Sequence, residues 1–296
     1  MLAAGLLGAP GLARAQSARK TSPRIGFIFA NAPQADLDGP RPASPYLGAF
    51  LDQLRELGWV DGQNITVERR TASGQLERFV ELTRELLARR VDVIVVSGTG
   101  GVFKVREVSD TVPIVMAGGI AEELFSAGVA KSLARPGGTV TGFTTAIPGL
   151  EDKRLQLLKE AVPGASRVAY LGATAPLPPS TEAAARALNV TVVAVETATA
   201  DGLDRAFGEV KRARADAVLA VWGPPFFWSA RQRISDLATQ HRLPAIYWDR
   251  AFTDVGGLIS YGPDYLDIDR RAADETHREV AARALDALRG LGTGRG

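Results

Sequence analysis

Five short apolar runs in the first half of the chain return, in the same order, in the second half, and this repeat constrains the fold more than any other feature. Arg24-Ile25-Gly26-Phe27-Ile28 parallels Arg167-Val168-Ala169-Tyr170-Leu171, and Asn64-Ile65-Thr66-Val67 parallels Asn189-Val190-Thr191-Val192. Asp92-Val93-Ile94-Val95-Val96 matches Asp216-Ala217-Val218-Leu219-Ala220-Val221. Pro113-Ile114-Val115-Met116 matches Pro244-Ala245-Ile246-Tyr247, and Gly137-Gly138-Thr139-Val140-Thr141 matches Gly256-Gly257-Leu258-Ile259-Ser260. Each run is rich in β-branched or aromatic residues and bounded by Gly, Pro, Asn or Asp, which is the pattern of a buried strand. Between the runs, residues 47–57 place apolar side chains at 47, 50, 51, 54 and 57, one face of a helix. Residues 76–87, 203–210 and 234–238 behave likewise. Strand–helix alternation at this spacing predicts parallel sheets with covering helices. The expected fold class is α/β: two similar doubly wound parallel-sheet lobes with a ligand cleft between them. The expected boundaries are 21–146 for the first lobe, 147–262 for the second, and 263–296 for a helix returning to the first lobe and a frayed tail.

Composition narrows the function classes. With 46% hydrophobic residues in 296, the chain has apolar material for two cores. Its net charge of +2, from 35 Lys+Arg against 33 Asp+Glu, gives no electrostatic footprint for nucleic acid. The absence of cysteine excludes a thiol nucleophile, a cysteine-ligated metal, a disulfide and a lipid attached to an N-terminal cysteine. Residues 2–12 form an apolar run followed by Ala13-Arg14-Ala15, the small-residue pattern of a signal-peptidase site. Residues 1–20 are therefore expected to be a leader cleaved after Ala15, and the mature protein to be exported, soluble and periplasmic without a lipid anchor.

In open α/β sheets ligands bind beyond the carboxyl ends of the strands, at the topological switch point. With a flavodoxin-like strand order, the flanking loops are 30–33, 97–101 and 117–120 in the first half. Their counterparts in the second half are 172–180, 222–227 and 248–250.

Particular stretches also carry a family resemblance. Leu54-Arg55-Glu56-Leu57-Gly58-Trp59-Val60-Asp61-Gly62-Gln63-Asn64-Ile65 and Ser132-Leu133-Ala134-Arg135-Pro136-Gly137-Gly138 resemble specific segments of a family of bacterial ABC-transporter substrate-binding proteins that includes tryptophan- and tyrosine-binding members. Supporting stretches are Val91-Asp92-Val93-Ile94-Val95, Lys153-Arg154-Leu155-Gln156-Leu157-Leu158-Lys159, His241-Arg242-Leu243-Pro244-Ala245-Ile246-Tyr247 and Ser260-Tyr261-Gly262. The resemblance runs over about residues 24–272. It implies a type I periplasmic-binding fold, ligand capture by lobe closure, and delivery to ABC permease membrane subunits by a monomer. Two departures stand out. Where the family places a Gly-Asp-Pro-like turn, this chain reads Gly118-Gly119-Ile120-Ala121-Glu122-Glu123, so an acidic contact does not carry over. The family also continues past the helix after Tyr261 into further elements, whereas this chain runs out in a Gly-rich end, which predicts a shortened C-terminus and a looser hinge.

Candidate ligand-binding residues follow from the strand-end loops. Ser97, Gly98, Thr99 and Gly100 precede a helical stretch, where backbone N–H groups suit an anionic group such as a carboxylate; the alternative is a tight turn with a capping hydroxyl. Gly118 follows the fourth strand. Trp222 and Trp248 offer flat aromatic area to an apolar or aromatic ligand, while Phe227 is expected to point into the lobe. Asp249 is a partner for an ammonium group or a local ion pair with Arg250; Asn31 is a ligand donor or a turn residue; Ser180 is a ligand donor or an N-cap. Asp92 and Asp216, at the opposite strand ends, read as structural. Together these predict a solute-binding protein for an amino acid or other small carboxylate with an apolar part. No cofactor, metal or catalytic residue is expected: the two histidines, His241 and His277, lack partners at ligand spacing, and no Walker A or nucleophile-elbow motif occurs. The alternatives are an exported α/β enzyme acting in the same cleft, and a ligand-sensing domain.

Overall fold

The computed structural model describes residues 22–147, 149–172, 177, 179–220 and 226–292; the leader, Trp222 and parts of the loops around it lie outside them. The first half runs β1 (Arg24–Phe29), α1 (Gln34–Leu37), α2 (Pro45–Glu56), β2 (Thr66–Thr71), α3 (Arg78–Ala88), β3 (Val93–Val96), α4 (Thr99–Arg106), β4 (Ile114–Ala117), α5 (Ala121–Ser126) and β5 (Val140–Phe143). The second half runs α6 (Leu150–Ala161), β6 (Arg167–Gly172), α7 (Pro179–Ala187), β7 (Thr191–Glu196), α8 (Leu203–Arg212), β8 (Ala217–Ala220), α9 (Phe226–Ser229), α10 (Arg231–Gln240), β9 (Ala245–Tyr247) and β10 (Ile259–Ser260), then α11 (Tyr265–Gly292). All ten strands fall on the runs of the repeat.

The strands form two five-stranded parallel sheets, ordered β2-β1-β3-β4-β5 and β7-β6-β8-β9-β10. The orders are the same permutation, so the sequence repeat is a structural one. β3 and β8 are buried at every position, which is why both read as unbroken apolar runs rather than alternating ones. On β1 the faces separate by parity. Ile25, Phe27 and Phe29 pack with Leu47, Phe50 and Leu54 of α2, while Ile28 packs with Phe79 and Leu86 of α3 on the other side. Gly26 shares that second face, and its missing side chain leaves the space that Leu86 fills. In the second sheet Ala169 and Leu171 meet Phe207, Ile234 and Trp248, and Val168 and Tyr170 meet Leu155, Leu158 and Ala185.

Local signals set the ends of these elements. The Ser44 hydroxyl caps α2 by accepting from the Leu47 N–H at 3.4 Å, with Pro45 at the first helical position. Asp92 accepts the N–H of Arg24 at 2.7 Å, and its counterpart Asp216 accepts those of Ser166 and Arg167 at 2.8 and 2.9 Å. Each carboxylate therefore anchors the first strand of its lobe to the start of the third, away from the strand carboxyl ends.

The chain leaves the first sheet after β5 and returns after β10. α11 then lies along α2 and under β3, β4 and β5. Ala272, Ala273, Thr276 and Val280 form its buried stripe. The Trp59 indole N–H donates to His277 Nδ1 at 2.8 Å, and Gln53 Nε2 donates to Asp274 at 3.0 Å. Near its far end Arg283 donates to the Thr111 carbonyl at 3.2 Å, just before β4. α11 thus starts at the carboxyl ends of the first-lobe strands and runs toward their amino ends. It continues through Gly290 to Gly292, past the position where the sequence suggested fraying; a glycine costs a helix only about 1 kcal/mol relative to alanine.

Candidate functional site

The loops at the carboxyl ends of the first sheet are laced to one another. The Ser97 hydroxyl accepts the Ala30 N–H at 2.8 Å, which ties the end of β1 to that of β3. The Gly98 N–H donates to the Gly118 carbonyl at 2.9 Å, and the Thr99 hydroxyl accepts the Ile120 N–H at 2.6 Å, tying β3 to β4. Thr145 closes the set through its N–H to the Gly119 carbonyl at 2.8 Å. Gly98 and Gly118 have φ of +88° and +80°, a region that glycine enters without strain. Ser97, Gly98, Thr99 and Gly118 therefore spend hydroxyls and an N–H on shaping this face. Gly100 lies against Leu76, and Gly101 against Phe79 of α3, so these two glycines also serve close packing beside α4. Asn31 is half-buried in the bend after β1.

In the second lobe Asp249 is buried, and its carboxylate accepts the Ala251 N–H at 2.8 Å, capping the 3₁₀ turn Arg250–Val255. Arg250 pairs instead with Asp254 at 3.7 Å. The Trp248 ring is only 3% exposed; it packs against Phe252 at 4.4 Å and Phe227 at 6.0 Å between ring centroids, and belongs to the lobe core rather than an open aromatic face. Ser180 is exposed as the second residue of α7, one position inside the helix rather than at its cap. Trp222 lies outside the described residues.

What joins the two lobes is a group that the sequence did not mark. Tyr46, in the first turn of α2, donates its hydroxyl to the Asp249 carboxylate, 3.1 Å from each oxygen. Its ring meets Trp228 edge-on at 4.9 Å and Tyr265, the first residue of α11, at 6.4 Å. Trp228 in turn carries the Arg231 guanidinium 4.8 Å over its ring. Asp269, one turn beyond Tyr265, is 7% exposed, and no hydrogen-bond or ion-pair partner meets its carboxylate among the described residues. Its neighbour Ile268 borders Gly118, which places this turn of α11 at the strand-end face of the first lobe.

The electrostatics follow from burial. Burial pushes the Asp249 carboxyl up, opposed by the Ala251 N–H and the Tyr46 hydroxyl. Burial alone pushes Asp269 well above the usual carboxylate range. The Tyr46 phenol is raised by burial first, and then by the charges of Asp249 and Asp269. The arrangement gathers aromatic rings, two buried acids and the Arg231 guanidinium where the lobes meet.

The return crossover is held by Arg154 of α6, whose side chain is 2% exposed. Its Nε–H donates to the Tyr261 carbonyl at 2.6 Å and Nη1 to Glu151 at 3.1 Å. Trp228 belongs to the aromatic cluster Trp222, Phe226, Phe227 and Trp228 that the sequence shows after the third strand of the second lobe, although Trp222 and Trp248 were the members expected in the cleft; Tyr46, Tyr265, Asp269 and Arg154 were not singled out by sequence reasoning. Of these, only Asp269 left a signal: it stands four residues before Ala273 on the apolar stripe of its helix. Two surface hollows, of 460 Å³ beside Asp38, Asp61 and Arg69 and of 350 Å³ beside Pro45, Gln53, Leu266 and Arg270, are lined by other residues of the first lobe and α11. Arg69 in the first is already paired with Asp61. No group of three or more His, Asp or Glu suited to a metal ion occurs among the described residues.

Comparison with known proteins agrees with this geometry. The chain is 23% identical over 230 residues to a tyrosine-binding protein of Clostridioides difficile, an alignment covering 76% of this chain and 65% of that protein. The chain thus spans about two thirds of the length of that curated relative. Among solved structures it resembles the domain of an ABC protein from Streptococcus pneumonia in complex with L-Trp, with a TM-score of 0.70, 19% identity, and 87% and 84% of the two chains covered. It also resembles the 5-methylthioribose transporter solute-binding protein of Thermotoga lettingae, with a TM-score of 0.61, 18% identity, and 89% and 82% covered. These likenesses agree with the two-lobed fold of type I periplasmic binding proteins. The model of the family described as ABC transporter substrate binding protein matches residues 43–280, most of the chain, and the chain belongs to that family.

Proposed function

We propose that this protein is the solute-binding component of an ABC importer, and that it captures a small molecule between lobes 21–146 and 147–262 and hands it to permease subunits in the membrane. The observation that carries the reading is the contact of Tyr46 with Asp249. It joins two sheets of identical strand order at the ends where α/β sheets bind ligands. Lobes joined by such a contact and by chain crossovers can open and close as units, which is how a binder encloses a solute without a reaction. The helix that begins at Tyr265 returns to the first lobe and makes the crossover rigid on that side.

The relatives' ligands, tyrosine, L-Trp and 5-methylthioribose, all combine a flat or compact ring with polar ends. Tyr46, Trp228 and Tyr265 offer this chain the same combination of aromatic faces beside polar groups. The protein acts outside the cytoplasm and as a monomer in this reading. No helix among the described residues is long and apolar enough to cross a membrane.

The test is a thermal-shift screen of amino acids, amines, nucleosides and thiosugars, followed by small-angle scattering with any hit. A ligand that binds only the folded protein raises the melting temperature by mass action, and closure shrinks the radius of gyration. Stoichiometric binding with no chemical change in the ligand supports a binder. Turnover of the hit would replace this reading with an enzymatic one.

A further inference from the structure

Asp269 is a buried acid beside the Tyr46 junction whose charged form nothing among the described residues answers. Asp249 has the Ala251 N–H, the Tyr46 hydroxyl and Arg231 nearby. Asp269 is as deeply buried, and no donor or cation reaches it among the described residues. A carboxylate buried without a partner is strongly disfavoured, so folded proteins either pair such a group or neutralise it. The residues that follow it on the buried stripe of α11, Ala272, Ala273, Thr276 and Val280, are small or apolar and pack on α2 and the sheet, whereas Asp269 sits in the first turns of α11, within electrostatic reach of the Tyr46 hydroxyl. Tyr46, which Asp269 reaches electrostatically, meets Trp228 and Tyr265 edge-on. Rings of this kind attract a cation through their negative faces, and the attraction grows when water is excluded. An anionic end would instead have to enter beside Asp249 and Asp269, where the Arg231 guanidinium is already engaged over the Trp228 ring.

Resting on the reading of the cleft as a solute site, we propose that the ligand presents a protonated amine or an amidinium to Asp269, and that its affinity depends on this positive charge. The cation lies against the Asp269 carboxylate with the Tyr46 ring beside it. The apolar remainder of the ligand faces Trp228 and Tyr265. The first-turn amides of α4 are left to shape the rim rather than to hold a carboxylate.

The experiment uses the full chain and three matched probe sets. The first holds phenethylamine, tryptamine and benzamidine; the second 3-phenylpropionate and indole-3-propionate; the third the zwitterions L-phenylalanine and L-tryptophan. The expected result is a rise in melting temperature with at least one member of the first set, and none with the second. Asp269→Asn should weaken that binding at least tenfold while leaving the ligand-free melting temperature equal or higher, because a buried acid that folding must keep protonated has been replaced by a neutral group of the same shape. Binding of a propionate without binding of any amine overturns the proposal and leaves the solute-binding reading intact. So does equal affinity in Asp269→Asn, or a ligand-free melting temperature that falls in that variant, which would show a structural partner for Asp269. Binding of the zwitterions alone also overturns it, since a carboxylate would then be required. Silence of all three sets overturns the cationic class, and the wider screen of nucleosides and thiosugars then decides whether the cleft binds any solute.

Discussion

The Tyr46 hydroxyl stands 3.1 Å from both carboxylate oxygens of Asp249, a residue 203 positions further along the chain and in the other lobe. The bond exists only while the lobes are together. Tyr46→Phe keeps the ring against Trp228 and removes the donor. The ligand-free protein should then open, with a larger radius of gyration by small-angle scattering. The stability of each lobe should change by no more than about 1 kcal/mol, the usual net value of one hydrogen bond. An unchanged radius of gyration would show that the contact follows closure rather than holding it.

Asp249 has a second task, the cap on the 3₁₀ turn after β9. Asp249→Ala should therefore cost about 1–2 kcal/mol of stability in urea unfolding, within the range for losing a capping side chain. The double variant with Tyr46→Phe should cost less than the two singles added together, because both remove one bond. Strict additivity would show that the two residues are not coupled.

Arg154 predicts a hinge effect. Its guanidinium joins α6 to the return crossover through the Tyr261 carbonyl and Glu151. Arg154→Ala should destabilise the protein by about 3 kcal/mol, the scale for breaking a buried charged contact. Arg154→Lys should recover only part of it, since a single ammonium does not reproduce the planar fork. Denaturant unfolding of both variants checks the order.

Gly262 lies in the same crossover, and a methyl group there would run into the carbonyl oxygen of Trp248. Gly262→Ala should lower stability by about 1–3 kcal/mol, as overpacking does. A Gly256→Ala variant provides a contrast. Gly256 has open space around it but φ of +94°, so its cost comes from the backbone alone. Chemical denaturation of the pair separates collision from conformational strain.

The raised acids predict a pH dependence with a definite sign. Asp269 and Asp249 hold their protons in the folded chain at pH values where the unfolded chain has lost them. Stability should therefore fall as the pH rises from about 4, by up to about 1.4 kcal/mol per unit for each group, until the raised values are passed. Glu279, also raised by burial, adds to the same slope. Glu68, Glu85, Asp204 and Asp216 are lowered by arginine pairing or backbone N–H groups; their contribution is present above about pH 5 and does not alter the slope beyond it. Asp269→Asn should flatten the decline between pH 5 and 8 in thermal melts. An unchanged slope would place the Asp269 titration outside that window.

The amino-acid order by itself determined the two sheets. β3 and β8 are buried on both faces, so their sequences are continuous apolar runs bounded by turn residues, and that signal is local. The amphipathic faces of α2 and α8 were legible for the same reason, since burial on one side repeats every turn. Asp92 and Asp216 could be read as strand anchors because each acts on backbone at a fixed place in the repeat. The site was legible only as a set of loops. Tyr46 sits one residue before the helical face that periodicity identifies, and nothing near it in the sequence indicates Asp249. Trp248 carries the aromatic signal of a cleft residue, yet its ring is in the core while Trp228 meets the other lobe, and strand-end position does not encode that choice. Asp269 stands in register with the apolar stripe of its helix, but its burial is set only when α11 docks on α2. Contacts between residues some two hundred positions apart depend on how the two lobes and the returning helix are placed in space, and only the tertiary structure decides that.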